Sequence, residues 1–312
     1  MKVAVTGGSG VVGSAVVRHL VDAGHEVKAL ARSTASGSSV AALGATPIPG
    51  DVLDPASLDD LVTGCSRVFH VAGINELCTR SPKRMWDVNV EGTRLAVDAC
   101  RRAGVTRMIL TSSAVTMGEH DPFLSVYERT KTEAEKLAFA EARGLEVVAV
   151  NPSSVQGPGR ATGTGALVLS AARGRLRYLV DSTISFVDIN DCARGHLLAA
   201  DRAEPGERYV LSGATLTMPE AVALLNDITG ETMEPRYLPT WQLRIVGVVG
   251  EVVAKLSRRT PPICRETVRV MSQNHKYNGS EATEVLGLRY TPIRQTLEET
   301  IEWFRLEGLV SG

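Results

Sequence analysis

The chain has 312 residues, enough for about two domains and a sizeable buried core. Its 34 Lys and Arg residues almost balance its 35 Asp and Glu residues, and the formal net charge of −1 gives no electrostatic case for binding nucleic acid or a membrane surface. The most apolar segment, 245–256, is too short to span a bilayer and carries Glu251 and Lys255, so we expect no membrane span.

Cysteine usage indicates the redox environment. The five cysteines are scattered along the chain, with no Cys-x-x-Cys motif and no cluster with histidine: Cys65, Cys78, Cys100, Cys192 and Cys264. This pattern predicts reduced thiols, a cytoplasmic location and no metal site. Residues 3–5 already have the composition of a strand, so we expect no signal peptide before the fold.

A strand, a glycine-rich turn and a helix open the chain. Lys2–Thr6 is rich in β-branched residues, and Val11–Ala23 has apolar residues at helical spacing with Gly24 as a stop signal. The glycines between them fit two registers, Gly8-x-Gly10-x-x-Gly13 and Gly7-x-x-Gly10-x-x-Gly13. In this setting such glycines allow the backbone to approach a pyrophosphate, which the N–H groups at the helix start would bind. The residues predicted to contact a dinucleotide cofactor here are Gly7, Gly10, Val11, Val12 and Gly13.

The end of the second predicted strand, Glu26–Ala31, bears on the choice of cofactor. An NAD site usually carries Asp or Glu near this point to bind the ribose 2′-hydroxyl, whereas Arg accommodates the 2′-phosphate of NADP. Arg32 directly follows Ala31 here, and no acid stands beside it. The sequence therefore favours NADP, with NAD as the alternative.

Strands continue to alternate with helices as far as residue 152. The predicted strands are 46–48, 67–71, 107–110 and 146–150, and the predicted helices are 55–62 with Asp54 as cap, 82–103 and 125–142. This alternation predicts an α/β fold with a Rossmann-type, doubly wound parallel sheet that binds ligands at the carboxyl ends of its strands. Five segments fall at those ends: the glycine turn, Asp51-Val52, Ala72-Gly73, Ser113 and Pro152.

After residue 151 the regular alternation ends. Residues 157–165 form a Gly-, Pro- and Thr-rich loop, and helices are predicted at 189–200, 218–228 and 296–306, with strands at 184–188 and 208–212. Residues 237–271 have an irregular helical pattern. We expect 1–155 to form the dinucleotide-binding domain, with 184–203 returning to it. Residues 156–183 and 204–312 would form a smaller, discontinuous C-terminal substrate lid.

Tyr127 and Lys131 are four residues apart in a predicted helix, so both side chains can point into one cleft. A phenol with a pKa of about 10 is a poor proton shuttle near neutral pH, but a cation about 4 Å away would lower that pKa by roughly three units. The spacing therefore predicts that Tyr127 is a general acid/base with its pKa lowered by Lys131.

Taken together, these motifs resemble the extended short-chain dehydrogenases/reductases, the NAD-dependent epimerase/dehydratase group, nearly from end to end. Within that group the chain is most similar to the dihydroflavonol-reductase-like and hopanoid-associated epimerase branch. The segments that carry the resemblance are 6–13, 50–52, 68–73, 89–93, 111–114, 127–131, 151–158 and 184–191.

The resemblance implies roles for individual residues. Ser113, with Ser112 as the alternative, would hydrogen-bond the substrate oxygen, Tyr127 would exchange its proton, and Lys131 would also hold the cofactor ribose. Asn89 would order a helix and neighbouring waters. The cofactor-binding residues implied beyond the glycine turn are Arg32, Asp51, Val52, Ala72, Gly73, Lys131, Pro152, Ser154 and Val155.

Three functions remain open at this stage. The first is NADP-dependent carbonyl/alcohol hydride transfer on a small or medium, largely apolar substrate, which part of the apolar segment 238–256 would contact. The second is a nucleotide-sugar epimerase or dehydratase, for which the lid offers four arginines: Arg160, Arg173, Arg175 and Arg177. The third is a non-catalytic cofactor-sensing protein. Two departures weaken the second reading, because Gln156 and Met117 replace the tyrosines that many nucleotide-sugar members carry.

Relatives in this group pair the helices corresponding to 82–103 and 125–142 across a two-fold axis, which implies a homodimer through a four-helix bundle. Such an interface needs an apolar stripe on each helix. The residues that could supply it are Val90, Val97, Val126, Ala134, Leu137 and Ala138.

Overall fold

The structure of the chain is a computed structural model that describes residues 1–118, 123, 125–257, 261, 263–272 and 274–310. The strands are β1 (Lys2–Thr6), β2 (Glu26–Ala31), β3 (Thr46–Pro49), β4 (Arg67–His70), β5 (Arg107–Thr111), β6 (Glu146–Pro152), β7 (Ser154–Gln156), β8 (Tyr178–Val180), β9 (Thr183–Asp188), β10 (Arg208–Leu211), β11 (Ala214–Thr217) and β12 (Arg236–Leu238).

The helices are α1 (Val11–Asp22), α2 (Thr34–Ala42), α3 (Pro55–Val62), α4 (Pro82–Trp86), α5 (Gly92–Arg102), α6 (Val126–Ala140), α7 (Gly165–Ala172), α8 (Ile189–Arg202), α9 (Met218–Thr229), α10 (Thr240–Ser257), α11 (Arg265–Met271), α12 (Ser280–Glu284) and α13 (Ile293–Leu306). A π-helical turn at Asp87–Glu91 joins α4 to α5, and a 3-10 turn at Ala114–Met117 follows β5. None of the helices in the described part of the chain is long and apolar enough to cross a membrane.

The central sheet has seven strands in the order β10-β6-β5-β4-β1-β2-β3, and every neighbouring pair is parallel. Helices α1 and α8 pack on one face, where Val16 and Val17 share a core with Ala193. Helices α3, α5 and α6 bury Leu58 and Ala138 on the other face. The predicted Rossmann-type doubly wound fold is therefore confirmed.

Further strands and helices lie outside the central sheet. Strands β11, β9 and β7 form a second sheet, β12 pairs with β8, and a third core lies between α7, α9 and α13. The domain boundaries given above stay a prediction, although β10 joins the central sheet from within the segment 204–312 that was expected to belong mainly to the lid. The expected irregular helix over 237–271 divides into α10 and α11.

The prediction of five reduced thiols is wrong, because Cys78 and Cys264 form a disulfide across 186 residues of sequence. The two cysteines lie in the loop after β4 and at the start of α11, and only the folding of the lid brings these segments together. Within the described residues, Cys65, Cys100 and Cys192 are free and buried. The cytoplasmic location inferred from the thiols consequently loses that support.

The residues expected to form a dimer interface are largely unavailable for it. Val90, Val97, Ala134 and Ala138 are buried within the monomer. They cannot form an intermolecular stripe, because α5, α6 and the π-helical turn before α5 use these side chains to pack within the chain itself. A homodimer through a four-helix bundle stays a prediction that these four residues do not support.

Candidate active site

The glycine turn after β1 leaves no room for side chains at two of its positions. A Cβ atom at Gly13 would lie 2.0 Å from the Gly7 carbonyl oxygen, and one at Gly7 would lie 2.7 Å from the Ala72 nitrogen. Gly7 also has a φ of 72°, a region that favours glycine. A Cβ atom at Gly8 would meet side chains at 3.2 Å, a milder conflict. The structure therefore favours the register Gly7-x-x-Gly10-x-x-Gly13.

This turn leads directly into the N-terminus of α1. Gly10 is the residue before the helix and has no side chain to cap it, and the first turn contains no acidic residue. The first backbone N–H groups of a helix lack partners within the helix, and its dipole favours an anion there. Val11, Val12 and Gly13 thus offer donors beside a backbone cradle, an arrangement that fits the pyrophosphate of a dinucleotide.

Arg32, Asp51 and Val52 follow the carboxyl ends of β2 and β3, which are neighbours in the sheet. Arg32 is exposed, and no ion pair within the described residues involves it. The next residue, Ser33, caps α2 with its side chain. Val52 is buried, whereas Asp51 is half-buried and accepts a hydrogen bond from the Leu53 N–H at 3.0 Å. The three predicted residues thus lie at one edge of the sheet.

The segment after β4 lies beside α6. The Ala72 N–H donates to the Thr6 hydroxyl at 3.2 Å. A Cβ atom at Gly73 would lie 3.3 Å from the Asn89 Oδ1 atom and 3.7 Å from the Lys131 Nζ atom. Asn89 itself accepts from the Ile74 N–H at 2.7 Å. Glycine at position 73 therefore keeps space open next to Lys131.

Three of the expected cofactor-binding residues lie at and directly after the end of β6. Pro152 ends that strand, and Ser154 and Val155 belong to β7. The Ser154 and Thr164 hydroxyls are 2.6 Å apart, and the Gln156 Nε2 atom donates to Thr164 at 2.7 Å. These bonds fold the following loop, 157–164, back against β7.

Ser113, Tyr127 and Lys131 come together at the carboxyl end of β5. The Ser113 hydroxyl is close enough to the Tyr127 phenol to stabilise the ionised form of Tyr127. The Lys131 Nζ atom donates to the Thr111 carbonyl oxygen at 2.5 Å. Ser112, the alternative to Ser113, has a buried hydroxyl without a hydrogen-bond partner in the described residues.

The expected effect of Lys131 on Tyr127 is not found. Burial raises the pKa of the Tyr127 phenol above its ordinary value, while the hydrogen bond from Ser113 and the positive charge of Arg160 oppose this rise. Two physical reasons account for the difference from the expectation. Desolvation disfavours the phenolate more strongly than its neighbours stabilise it, and the Lys131 ammonium is directed at the Thr111 carbonyl oxygen.

The pKa of the Lys131 ammonium is also shifted from its ordinary value. Burial lowers its pKa to about 8, and the negative charge of Glu135, one helical turn later, opposes the decrease. Glu135 is buried and accepts from the Asn151 side chain at 2.8 Å and from the Thr116 hydroxyl at 3.1 Å. It also pairs with Arg208 at 3.1 Å. This network joins α6 to β6, to β10 and to the turn after Ser113.

Three side chains from the second half of the chain reach this site. Arg160, noted above among the lid arginines, interacts electrostatically with the Tyr127 phenol. Burial raises the pKa of Tyr277 to about 12, and the nearby Glu128 carboxylate and Tyr127 phenol add to the increase. Glu266 accepts hydrogen bonds from the loop after β4 and from the start of α6. No motif marks Tyr277 or Glu266, since both lie where the sequence pattern is irregular.

The chain matches the NAD dependent epimerase/dehydratase family over residues 3–212, and it therefore belongs to that family. Sterol demethylase protein B of Methylococcus capsulatus is 31% identical, with 99% of this chain and 100% of that protein covered. Cinnamoyl-CoA reductase 1 of Oryza sativa is 30% identical, with 98% and 91% covered. The solved structure of gox2253 is 31% identical, covers 99% of both chains and superposes with a TM-score of 0.85.

These relationships confirm the resemblance to the extended short-chain dehydrogenases/reductases. The relatives are NAD(P)-dependent reductases and epimerases, so the protein is an enzyme of the oxidoreductase type with an NAD(P) cofactor.

Proposed function

We propose that the protein catalyses the NADPH-dependent reduction of largely apolar ketones or aldehydes, or the reverse oxidation of the alcohols. The observation that carries the proposal is the approach of the Ser113 hydroxyl to the Tyr127 phenol at the strand ends. Two converging hydroxyls of this kind can hold one carbonyl or alcohol oxygen. The names of the relatives reported above, a sterol demethylase protein and a cinnamoyl-CoA reductase, support an organic substrate of this class.

Each residue of the group has a distinct task in this proposal. Ser113 orients the substrate oxygen, and Tyr127 donates or accepts the proton at that oxygen. Lys131 holds the cofactor ribose beside the space that Gly73 keeps open. When bound, the nicotinamide supplies or accepts the hydride. Ser113 and Lys131 are buried, which limits the access of bulk water to the reacting atoms.

The lid arginines support an apolar substrate over a nucleotide sugar. A desolvated diphosphate requires several cations or backbone donors, because burying an unpaired charge is costly. Arg173, Arg175 and Arg177 are exposed, and the Arg173 Nε atom donates to the Leu309 carbonyl oxygen at 2.9 Å. Of the four lid arginines, this leaves Arg160 at the site.

Helix α10 does not supply the apolar lining that the sequence suggested. Leu243 is buried, but the other apolar side chains considered for the lining are exposed: Trp241, Ile245, Val246, Val248 and Val249. Gly247 and Gly250 turn the opposite face of the helix toward residues 263–265, where a Cβ atom at Gly250 would lie 2.4 Å from the Ile263 carbonyl oxygen. The apolar character of the substrate therefore rests on the lid arginines and the relatives.

NADP is the proposed cofactor because of the environment of Arg32. This guanidinium is exposed at the end of β2 and forms no ion pair within the described residues. Positions 31–33 contain no acidic residue that could bind a ribose 2′-hydroxyl. A planar, permanently charged fork suits a 2′-phosphate better than a 2′-hydroxyl.

A thermal-shift panel, followed by an NADPH-oxidation assay, tests the substrate class. A ligand at 100 times its dissociation constant adds about 2.7 kcal/mol to the free energy of unfolding. We expect apolar carbonyl compounds to stabilise the protein in the presence of NADP and then to be reduced. Stabilisation by UDP- or GDP-sugars, with none by the carbonyl compounds, would mean that the protein is a nucleotide-sugar enzyme.

A further inference from the structure

Arg160 lies in the loop after β7, and its side chain is half-buried. Its Nε atom is buried and has no hydrogen-bond partner in the described residues. No ion pair within those residues involves its guanidinium. A Cβ atom at Gly163 would lie 3.0 Å from the Arg160 Nη2 atom, so glycine at that position makes room for the guanidinium.

A partly buried guanidinium without a hydrogen-bond partner for its Nε atom raises the free energy of the folded protein. Burial lowers the pKa of Arg160 from its ordinary value, which means that its positive charge has lost much of its hydration. Charges that leave water are normally paired, because an unpaired buried charge is strongly unfavourable. The arginine is therefore expected to have a partner that the described residues do not supply.

The surroundings of Arg160 indicate where this ligand binds. The Arg160 guanidinium and the Tyr127 phenol are close enough for each to favour the charged form of the other. Ser153 and Gln156, on the same segment, each have a buried side-chain oxygen without a partner in the described residues. Buried polar atoms in native proteins almost always have partners. The unpaired Arg160 Nε atom and Ser153 hydroxyl can both donate a hydrogen bond, and they therefore point to an acceptor group of a ligand near this segment.

The charge and shape of the guanidinium select the kind of group. One planar fork matches one carboxylate through two parallel hydrogen bonds. A diphosphate would need further cations, whereas Arg175 and Arg177 of the lid are exposed. The cofactor phosphates have their own sites at the ends of β1 and β2, where the glycine turn and Arg32 lie.

We propose that Arg160 binds a carboxylate of the substrate, next to the carbonyl group held by Ser113 and Tyr127. The substrates are then apolar oxo acids, or the corresponding hydroxy acids in the oxidative direction. This inference rests on the proposed function, since it assigns a second polar contact to the same substrate.

A matched pair of substrates tests the assignment. A medium-chain 3-hydroxyalkanoate and its methyl ester differ at the reacting end only in the charge of the acid group, and both can be assayed with NADP⁺. The wild-type protein should have the higher kcat/KM with the acid. Arg160→Gln should lower the acid-to-ester ratio of kcat/KM by about 10- to 150-fold, the effect of losing a hydrogen-bonded charge. Arg160→Lys should retain part of the preference, and Arg177→Gln, at an exposed lid position, should leave the ratio unchanged.

Three results would overturn the inference. A wild-type preference for the ester would exclude a carboxylate site. An equal loss on acid and ester would mean that Arg160 acts on Tyr127 instead. Weaker binding of NADPH to Arg160→Gln in calorimetry would mean that the arginine binds the cofactor.

A binding measurement separates this inference from the proposed function. Decanoate carries the carboxylate but has no ketone or hydroxyl group that could react. Its affinity for the protein–NADP⁺ complex therefore does not depend on turnover. Its dissociation constant should rise by about tenfold or more in Arg160→Gln. If decanoate binds in this way but neither 3-hydroxy substrate reacts, the proposed reaction is wrong and the carboxylate site stands. If the ester reacts but decanoate binds equally to both proteins, the carboxylate site is wrong and the reaction stands.

Discussion

The Glu266 carboxylate of α11 accepts a hydrogen bond from the Val126 N–H at 2.7 Å, directly before Tyr127 in the sequence. Its second oxygen accepts from the Cys78 N–H, also at 2.7 Å. Two residues earlier, Cys264 forms the disulfide with Cys78. A single turn at the start of α11 thus fixes both the loop after β4 and the start of α6, which carries Tyr127.

Glu266→Gln tests this connection. The two Glu266 oxygens each accept from one backbone N–H group, at Cys78 and Val126. Glutamine has one acceptor oxygen, so its NH2 group would face one of these N–H groups. Leaving such a group unsatisfied costs about 1–3 kcal/mol, so the free energy of unfolding in urea should fall by that amount. We also expect a lower kcat, because the start of α6 positions Tyr127. Glu302→Gln is the matched control, since Glu302 forms an exposed pair with Arg305. Equal stability of Glu266→Gln and wild type would contradict this role.

The disulfide can be checked by chemistry alone. The protein denatured without reductant should show three titratable thiols, and after reduction it should show five. Cys264→Ser should lower the free energy of unfolding by about 2–5 kcal/mol. Reductant should remove most of the difference between this variant and wild type. Five free thiols in the unreduced protein would show that the cysteines are not linked.

Much of the nucleotide-binding half follows from the sequence. The glycine turn, Asp51, Ala72-Gly73 and Ser113 converge because parallel strands place their carboxyl ends at one edge of the sheet. Strand bounds such as Lys2–Thr6 agree because β-branched runs end at clear turn signals. The glycine register depends on distances such as the 2.0 Å conflict at Gly13, and no sequence pattern contains those distances.

The lid was harder to predict for physical reasons. Glu266, Tyr277 and the Cys78–Cys264 pair reach the site through long-range packing, and neither spacing nor periodicity encodes such contacts. The sequence predicted a lowered pKa for Tyr127, but burial raises it. The direction of the shift depends on how far the phenol is desolvated. Helical spacing places Tyr127 on the same helix face as Lys131, but it does not determine how deeply the phenol is buried.

Arg32→Ala tests the cofactor preference. The 2′-phosphate of NADP should lose a charge-assisted hydrogen-bond partner, whereas NAD has a hydroxyl at that position and loses little. We therefore expect the dissociation constant for NADPH to rise by about 10-fold or more while that for NADH changes much less. Calorimetry with both cofactors provides the measurement. Tighter binding of NADH than NADPH by the wild-type protein would reverse the preference.

The buried Lys131 ammonium should affect the pH dependence of stability. Its pKa is about 8 in the folded protein, against an ordinary value of 10.5. Below pH 8 the ammonium is therefore charged in both states, but it is buried in the folded state and hydrated in the unfolded chain. Between pH 8 and 10.5 Lys131 is mostly neutral in the folded protein but mostly charged in the unfolded chain. The free energy of unfolding therefore rises with pH in this range. The free energy of unfolding of wild type should therefore rise relative to that of Lys131→Met from pH 8 to 10. A difference that does not vary with pH would contradict the burial of this charge.

The central claim is that Tyr127 transfers the proton to or from the substrate oxygen, and Tyr127→Phe tests it most directly. Phenylalanine keeps the ring and removes the hydroxyl. The measurement is kcat for NADPH oxidation with an apolar carbonyl substrate, made alongside the dissociation constant for NADPH. We predict that kcat falls by about 10²–10⁴-fold, the usual contribution of a general acid, while the affinity for NADPH stays nearly unchanged. Turnover within a few-fold of wild type would show that Tyr127 is not the proton donor.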